Sequence, residues 1–385
     1  MAKHIRTFVI SAVNQLDGGT LRIVDDFLKY VDSMEMQSDV KFIALVHTNV
    51  KDQMEKNYKS ISFKGYKLPK KFWIFRLIFE NVYCFFLARK FGVTHWISLH
   101  DLTPRLPHSV QSCVYCHNPS PVHKLKWIDI LNPKFVLFVL LYKHMYKLNL
   151  HRNKFVVVQQ EWLKEYFVRS FNFKRVHVLS PEDHHNISSP SHKSLENERK
   201  LSKDKVIFIY PCLPRTYKNV EVLIKAFKFI NSQKSNIHPH ELILTIEKNE
   251  NSYTRYLTWL AKDAANINFN GRQARSKISE HFSKQAVLLF PSRLETWGLP
   301  LSEAKAAGTE IIAADLHYAH ETLNGYPNAH FFDVDDYVAL SDLVMIVIDK
   351  HINDSKKLSK KTKNMSDFSS PSSKSWQEQI LNNLK

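Results

Sequence analysis

Between Ala286 and Asp315 the chain reads AVLLFPSRLETWGLPLSEAKAAGTEIIAAD. An apolar run, Ala286 to Phe290, stops at a polar break from Pro291 to Arg293, and a second apolar run, Ile311 to Ala314, closes the stretch. Between them lies a segment opened by Gly298, Leu299 and Pro300 and closed by Gly308, the pattern of one helix with Pro in its first turn and Gly just past its end. A strand, a helix and a strand in so short a space point to an α/β sheet. Glu295 falls in the loop before the helix, and Glu303, eight residues on, sits a little over one turn inside it. Both are expected to face the mouth where strand gives way to helix, which in an open α/β sheet is where ligands bind.

The same alternation runs through the rest of the chain. Strands are expected at Arg6–Val13, Lys41–His47, Thr94–Leu99, Val110–Cys116, Lys154–Gln159 and Val176–Leu179, with helical stretches between them. Asp183 to Lys203 is polar and short of apolar residues, and reads as a linker. Beyond it, Val206–Tyr210, Glu241–Ile246 and Ile267–Gly271 alternate with helical patterns, the first of which carries Val220, Leu223, Ile224, Phe227 and Ile230 at helical spacing. A chain of 385 residues suits two domains, here 1–182 and 204–365. A tail, 366–385, holds Ser375 and Glu378 as a capping box for a helix with Trp376, Ile380 and Leu384. Asp335, in a D-V-D run at 333–335, precedes the helical run Tyr337–Ile348 and reads as its cap rather than as a metal ligand. A Lys- and Ser-rich loop is expected at 356–373.

The formal net charge is +17, which implies an anionic partner without naming it. From Lys64 to Gly92 there are seven Lys or Arg against one Glu, interleaved with Phe72, Trp73, Phe75, Phe79, Phe85 and Phe86. That mixture suits an anionic lipid surface. Because Phe72–Ala88 carries only Arg76 and Glu80, spaced for one helix face, the plainer expectation is a core helix with a thin solvated stripe, leaving membrane contact to the surface around it. MAKHIRTFVISAVNQ has too short an apolar core for a signal peptide, and no uncharged apolar run approaches the ~20 residues of a membrane span. A cytoplasmic location is therefore expected.

Glycine is scarce, eight in the chain where average usage would give about 27. Gly18 and Gly19 are adjacent, in NQLDGGT between the first strand and a helical pattern from Leu21. The loop lacks both the G-x-G-x-x-G of a dinucleotide site and the G-K-[ST] of a P-loop, which argues against nicotinamide chemistry and ATP hydrolysis. Its Gly-Gly turn is open to two readings, approach to an anion or sugar, or a tight turn alone. Cys113, Cys116 and His117 spell a c-type haem attachment pattern, but no export signal accompanies it and no second Cys pair completes a zinc site, so buried free thiols are expected. His117 stands at a strand's carboxyl end before a loop stiffened by Pro119 and Pro121, and is a site candidate. In PCLPRTYKN, Arg215 and Lys218 stand beside a helix N-terminus, a place that suits a diphosphate.

ETWGLPLSEA, with Glu295 and Glu303 eight apart, resembles the E-x7-E signature of glycosyltransferase family 4. NQLDGGT is similar to that family's Gly-Gly loop, YCHNPSP to the segment bearing its donor-contacting histidine, and PRTYKN to its diphosphate clamp. More narrowly, CHNPSP, PRTYKN and LETWGLPLSEAK resemble bacterial transferases that build O-antigen or capsule. The resemblance covers nearly the whole chain. It implies the GT-B architecture, two Rossmann-like domains facing across a cleft with a final helix crossing back onto the first, and retaining transfer from a nucleotide sugar to a lipid-linked saccharide at the inner membrane face. It further implies that Glu303 holds the ribose, Glu295 the donor sugar, and Arg215 with Lys218 the diphosphate. His117 would lie by the sugar, approaching Glu295 only on domain closure. Gly18 and Gly19 would face the diphosphate or acceptor, and Gly298 and Leu299 would lie at the donor. The chain departs from the family where Pro211 and Cys212 replace the usual Gly-Arg, which leaves Lys218 better supported than Arg215. No metal or cofactor is expected and no nucleic-acid partner. The alternative is a non-catalytic basic protein of the same fold that binds membrane or polyanions.

Overall fold

A computed structural model describes residues 5–16, 18–34, 39–180, 205–233, 237–357 and 375–384. The expected linker 183–203 lies outside the described residues. Two compact units divide the chain: the described residues of Met1–Val122, Val139–Glu182 and Ser372–Lys385 form the first, and those of His123–Phe138 and Asp183–Pro371 the second.

The first unit is built on a parallel sheet of β1 (Arg6–Ala12), β2 (Val40–Val46), β3 (Ile61–Gly65), β4 (His95–Ser98), β5 (Gln111–Tyr115), β6 (Phe155–Val158) and β7 (Val176–Val178), in the order β3-β2-β1-β4-β5-β6-β7. In β1 every residue after Arg6 is buried, as a central parallel strand covered on both faces requires. β3 buries Ile61 and Phe63 and exposes Ser62 and Lys64, and its place at the sheet edge explains why so short and polar a run forms a strand. Helix Gly18–Ser33 lays Ile23, Val24, Phe27, Leu28 and Val31 onto the sheet. The tail helix Trp376–Leu384 joins this same core: Trp376 meets Phe27 at 5.6 Å and Tyr115 at 5.4 Å between ring centroids, and Lys154 Nζ donates to the Leu384 carbonyl at 3.1 Å. At its start the Ser375 hydroxyl accepts from the Glu378 amide.

The second unit holds β8 (Val206–Tyr210), β9 (His240–Leu244), β10 (Ile267–Phe269), β11 (Val287–Phe290), β12 (Ile311–Ala314) and β13 (Ala329–Phe332), all parallel, in the order β10-β9-β8-β11-β12-β13. From β8 the chain builds outward through β9 and β10, then returns to place β11 beside β8 and builds the other way. Strand order thus reverses between β8 and β11, and in open α/β sheets ligands bind beyond the strand ends at such a reversal.

Two expectations are corrected. Asp336, not Asp335, caps the following helix, its Oδ1 accepting from the Val338 and Ala339 amides, and that helix runs over Tyr337–Lys357 rather than ending at Ile348. Of the loop expected at 356–373, the first two residues are therefore helical, and the remainder lies outside the described residues. Phe72–Ala88 is the second correction. It forms helix Trp73–Ile78, a π-helical turn Phe79–Tyr83 and helix Cys84–Lys90, with Arg76 (6% exposed) and Glu80 (1%) buried and the apolar stripe facing outward. The solvated polar stripe expected there is inverted.

Candidate active site

β8 is followed by Pro211–Arg215, a 3-10 turn Thr216–Lys218 and Asn219, whose φ of 55° lets the chain double back into helix Val220–Gln233. β11 is followed by the loop 291–298 and helix Leu299–Ala306. These two loops leave the paired central strands at their carboxyl ends and are fastened to each other. The Arg293 amide donates to the Tyr217 carbonyl at 2.8 Å, and Asn219 Nδ2 donates to the carbonyls of Pro291 at 3.1 Å and Val334 at 2.7 Å.

Held this way, the Lys218 ammonium is paired directly with the Glu295 carboxylate, both side chains 15% exposed. It also lies over the rings of Tyr217 and Phe290, at 5.7 and 5.8 Å. Burial alone would lower the ammonium, but Glu295, with help from Tyr217, outweighs it and holds Lys218 above its usual value, so it stays cationic. Glu303 is ion-paired with Arg275 at 3.1 Å, from the start of the helix that follows β10. Glu295 and Glu303 are thus each placed against a cation. Arg215 is exposed and makes no ion pair among the described residues. Cys212, where the family pattern has a basic residue, has its thiol pushed up to about 12 by burial and stays neutral.

Gly298 stands just before the helix at φ 78°, a left-handed conformation, and a Cβ there would come to 3.0 Å from Leu301 Cδ1. Glycine at this position lets the loop enter the helix that carries Glu303. Leu299 is the first helical residue and half buried.

Three supports had no visible signal in the sequence. Asp129, from the segment 123–138, is buried and accepts from Thr216 Oγ1 at 2.6 Å, from the Lys126 amide at 2.8 Å and from His123 Nε2 at 2.9 Å, so it braces the turn that carries Lys218. Arg293 joins Glu221 at 2.9 Å and Asp335 at 3.1 Å; Asp335 also meets Lys126 at 2.7 Å and so serves as an ion-pair partner. Arg275 is the third. The links from Asp129 to Thr216, from Arg293 to Glu221 and Asp335, and from Arg275 to Glu303 each join residues tens of positions apart, beyond any local pattern. Among the described residues no group of three or more His, Cys, Asp or Glu is arranged to hold a metal ion.

In the first unit strand order reverses between β1 and β4. The loop after β1 is fastened there: Gln15 Nε2 donates to the Leu99 carbonyl at 3.1 Å, and with its amide oxygen turned to the guanidinium, Asn14 accepts from Arg76 Nε at 3.0 Å. The exposed Gly18 and Gly19 follow, Gly18 at φ 69°. His117, two residues past β5, is buried and stacked on Tyr115 at 4.5 Å; among the described residues neither ring nitrogen has a partner within hydrogen-bond distance, and burial lowers its pKa against the opposing pulls of Asp101 and the Leu99 backbone. Its ring is therefore neutral near pH 7, with one nitrogen able to donate and the other to accept. Cys113 and Cys116 are buried free thiols held protonated by that burial.

Residues 192–365 match the family model described as glycosyl transferases group 1. No curated protein matches the chain. Solved structures share its fold: a glycosyltransferase from Rickettsia africae, at 14% identity and TM-score 0.62, covering 99% of this chain and 94% of that one; Anabaena HepE in complex with UDP-glucose, at 13% and 0.60, covering 92% and 91%; and the lipopolysaccharide outer core galactosyltransferase WaaB, at 10% and 0.59, covering 90% and 91%. The chain is thus a transferase enzyme on the GT-B fold whose residues 192–365 match the glycosyl transferases group 1 family.

Proposed function

We propose that the chain is a retaining hexosyltransferase of the family 4 kind, which moves a sugar from a nucleoside-diphosphate sugar to a lipid-linked saccharide in the assembly of a bacterial surface polysaccharide such as O-antigen or capsule. One observation carries the reading: Lys218 and Glu295 are brought together from the loops after β8 and β11, the two strands between which the order of the second sheet reverses. A cation and carboxylates gathered there offer what such a donor needs. In this reading the carboxylate of Glu303 accepts from the two ribose hydroxyls, Lys218 and Arg215 bind the diphosphate, and Glu295 accepts from hydroxyls of the sugar. Gly298 and Leu299 bring backbone close to the donor. His117 binds a sugar hydroxyl through its neutral ring, and Gly18 and Gly19 let an anion or the acceptor approach the backbone.

In the reaction the bond from the anomeric carbon to the diphosphate oxygen breaks while the acceptor oxygen bonds to the same face of that carbon. The acceptor's proton passes to the departing phosphate, so no separate base is assigned. Lys218 and Arg215 spread the charge that grows on the leaving group, a role that needs no divalent metal. The protein acts from the cytoplasm at the inner membrane face, where its basic surface meets anionic lipid or the acceptor's pyrophosphate.

The test is turnover with UDP-, GDP-, dTDP- and CMP-sugars in the presence of lipid-linked acceptors, with and without a chelator. UDP-glucose comes first because HepE is seen with it. One donor should support transfer and survive the chelator. No turnover with any donor, together with tight salt-dependent polyanion binding, would replace this reading with that of a non-catalytic basic protein.

A further inference from the structure

We propose that the outward stripe Ile74, Ile78, Val82 and Phe86 of the first unit is the surface that seats the protein in the headgroup region of an anionic lipid bilayer; this rests on the membrane-side reading above and names the surface that does it. The four side chains recur every fourth residue, and are 61%, 50%, 50% and 61% exposed. Phe72, Trp73, Phe75 and Tyr83 beside them are exposed as well. Scattered apolar residues on a surface are ordinary, but a continuous stripe of this length marks an interaction site.

The stripe is outward by construction. Arg76, Glu80 and Cys84 form the opposite row at the same spacing and are buried. Arg76 Nη2 donates to the His100 carbonyl and lies 3.1 Å from His100 Nδ1, while its Nε meets Asn14. Glu80 Oε1 lies 3.6 Å from His100 Nδ1, and the Cys84 thiol points at Glu80 Oε2. The helix thus turns its polar row inward onto the loop that leads to Gly18 and leaves its apolar row outside.

Charge selects the occupant. In sequence Lys64, Lys67, Lys70 and Lys71 precede the stripe and Arg89 and Lys90 follow it, all six exposed, and the single acid of that stretch, Glu80, is buried. An apolar strip flanked by cations, with Trp73 at one end, matches a bilayer interface in which rings and aliphatic chains enter beside anionic headgroups. A second copy of the same face would bring like charges together. Trp73 also packs against Tyr142 at 5.8 Å, and next to Tyr142 the side chains of Leu140, Leu141 and Lys143 are exposed, so the surface continues along a second helix. No helix among the described residues is long and apolar enough to cross a membrane, so the contact is with the interface.

The experiment is co-sedimentation of the full chain with phosphatidylcholine vesicles and with vesicles that also contain phosphatidylglycerol. Three proteins are compared: the unaltered chain, Ile74→Ser with Ile78→Ser and Phe86→Ser, and Lys67→Gln with Lys71→Gln and Lys90→Gln. Circular dichroism and sedimentation velocity check fold and oligomeric state. The unaltered chain should prefer phosphatidylglycerol. The stripe variant should lose roughly tenfold in partition per side chain at all salt concentrations. The cation variant should lose mainly the lipid preference. Should the triple stripe variant not fold, the single Ile74→Ser carries the same prediction. Vesicle binding unchanged by the stripe substitutions would overturn the proposal, as would a dimer that the stripe variant converts to monomer without any vesicle binding. Vesicle binding without turnover of any donor would sink the transferase reading alone, and turnover without stripe-dependent vesicle binding would sink the lipid seat alone.

Discussion

The Lys218 ammonium is already neutralised by the Glu295 carboxylate, a partner 77 residues away in the loop that follows the neighbouring central strand. A donor diphosphate must therefore share or displace that carboxylate. Glu295→Gln should raise affinity for a free nucleoside diphosphate roughly two- to fivefold, the equivalent of losing a partly exposed ion pair of ~0.5–1 kcal/mol, while sugar transfer falls. Lys218→Gln should weaken the same binding by about 1.5–3 kcal/mol. Calorimetry with the nucleoside diphosphate separates the two. Equal losses in both variants would show that Glu295 supports the diphosphate rather than competing with it.

Asp129 holds the turn below Lys218 without being near enough in sequence to suggest it. Asp129→Ala leaves the fully buried Thr216 hydroxyl and His123 without their acceptor, and should cost about 1–3 kcal/mol of stability in urea unfolding. Burial would raise this carboxyl, but hydrogen bonds from His123, the Lys126 amide and Thr216 outweigh it and leave it below its ordinary 3.8. Its stabilising contribution is complete above that value and fades as pH falls through the lower folded value. The variant should lack that part of the acid dependence.

Glu80 works in the opposite sense. Burial, only partly offset by Arg76, pushes its carboxyl up from 4.5 to about 7. Below 4.5 the folded and unfolded forms are both protonated and there is no difference between them. As pH rises toward 7 the unfolded chain releases the proton while the folded chain keeps it, so stability falls across that window and levels off above it. Glu80→Gln should flatten the window in urea unfolding followed over pH. A native curve already flat there would contradict the assignment.

Gly298→Ala should destabilise the protein by about 1–2 kcal/mol, because alanine resists the left-handed backbone and its Cβ would crowd Leu301. Since the helix carrying Glu303 starts there, nucleotide affinity should fall together with the melting temperature. Loss of stability with full affinity would separate the turn from the site.

Much of this was readable because the central strands are continuous apolar runs: Val206–Tyr210 and Ile311–Ala314 were placed to the residue, and the segment from Ala286 gave strand, helix and strand in order. The edges were harder. Ile61–Gly65 and Ala329–Phe332 are short strands at the sheet margins, without the burial on both faces that makes an inner strand apolar throughout. For Phe72–Ala88, periodicity showed two rows but could not tell which faced inward. Arg76 and Glu80 are buried because Asn14 and His100 are there to meet them, and those residues are remote in sequence. The pairs Lys218–Glu295 and Glu303–Arg275 and the brace from Asp129 are products of the fold for the same reason.

The proposed ribose role of Glu303 is the central claim about the site, and calorimetric titration of the turnover-supporting donor into the unaltered chain and into Glu303→Gln tests it most directly. The substitution keeps the size of the side chain and removes its charge. The account predicts binding weaker by about 1.5–3 kcal/mol in the variant with its fold intact; an unchanged affinity would contradict it.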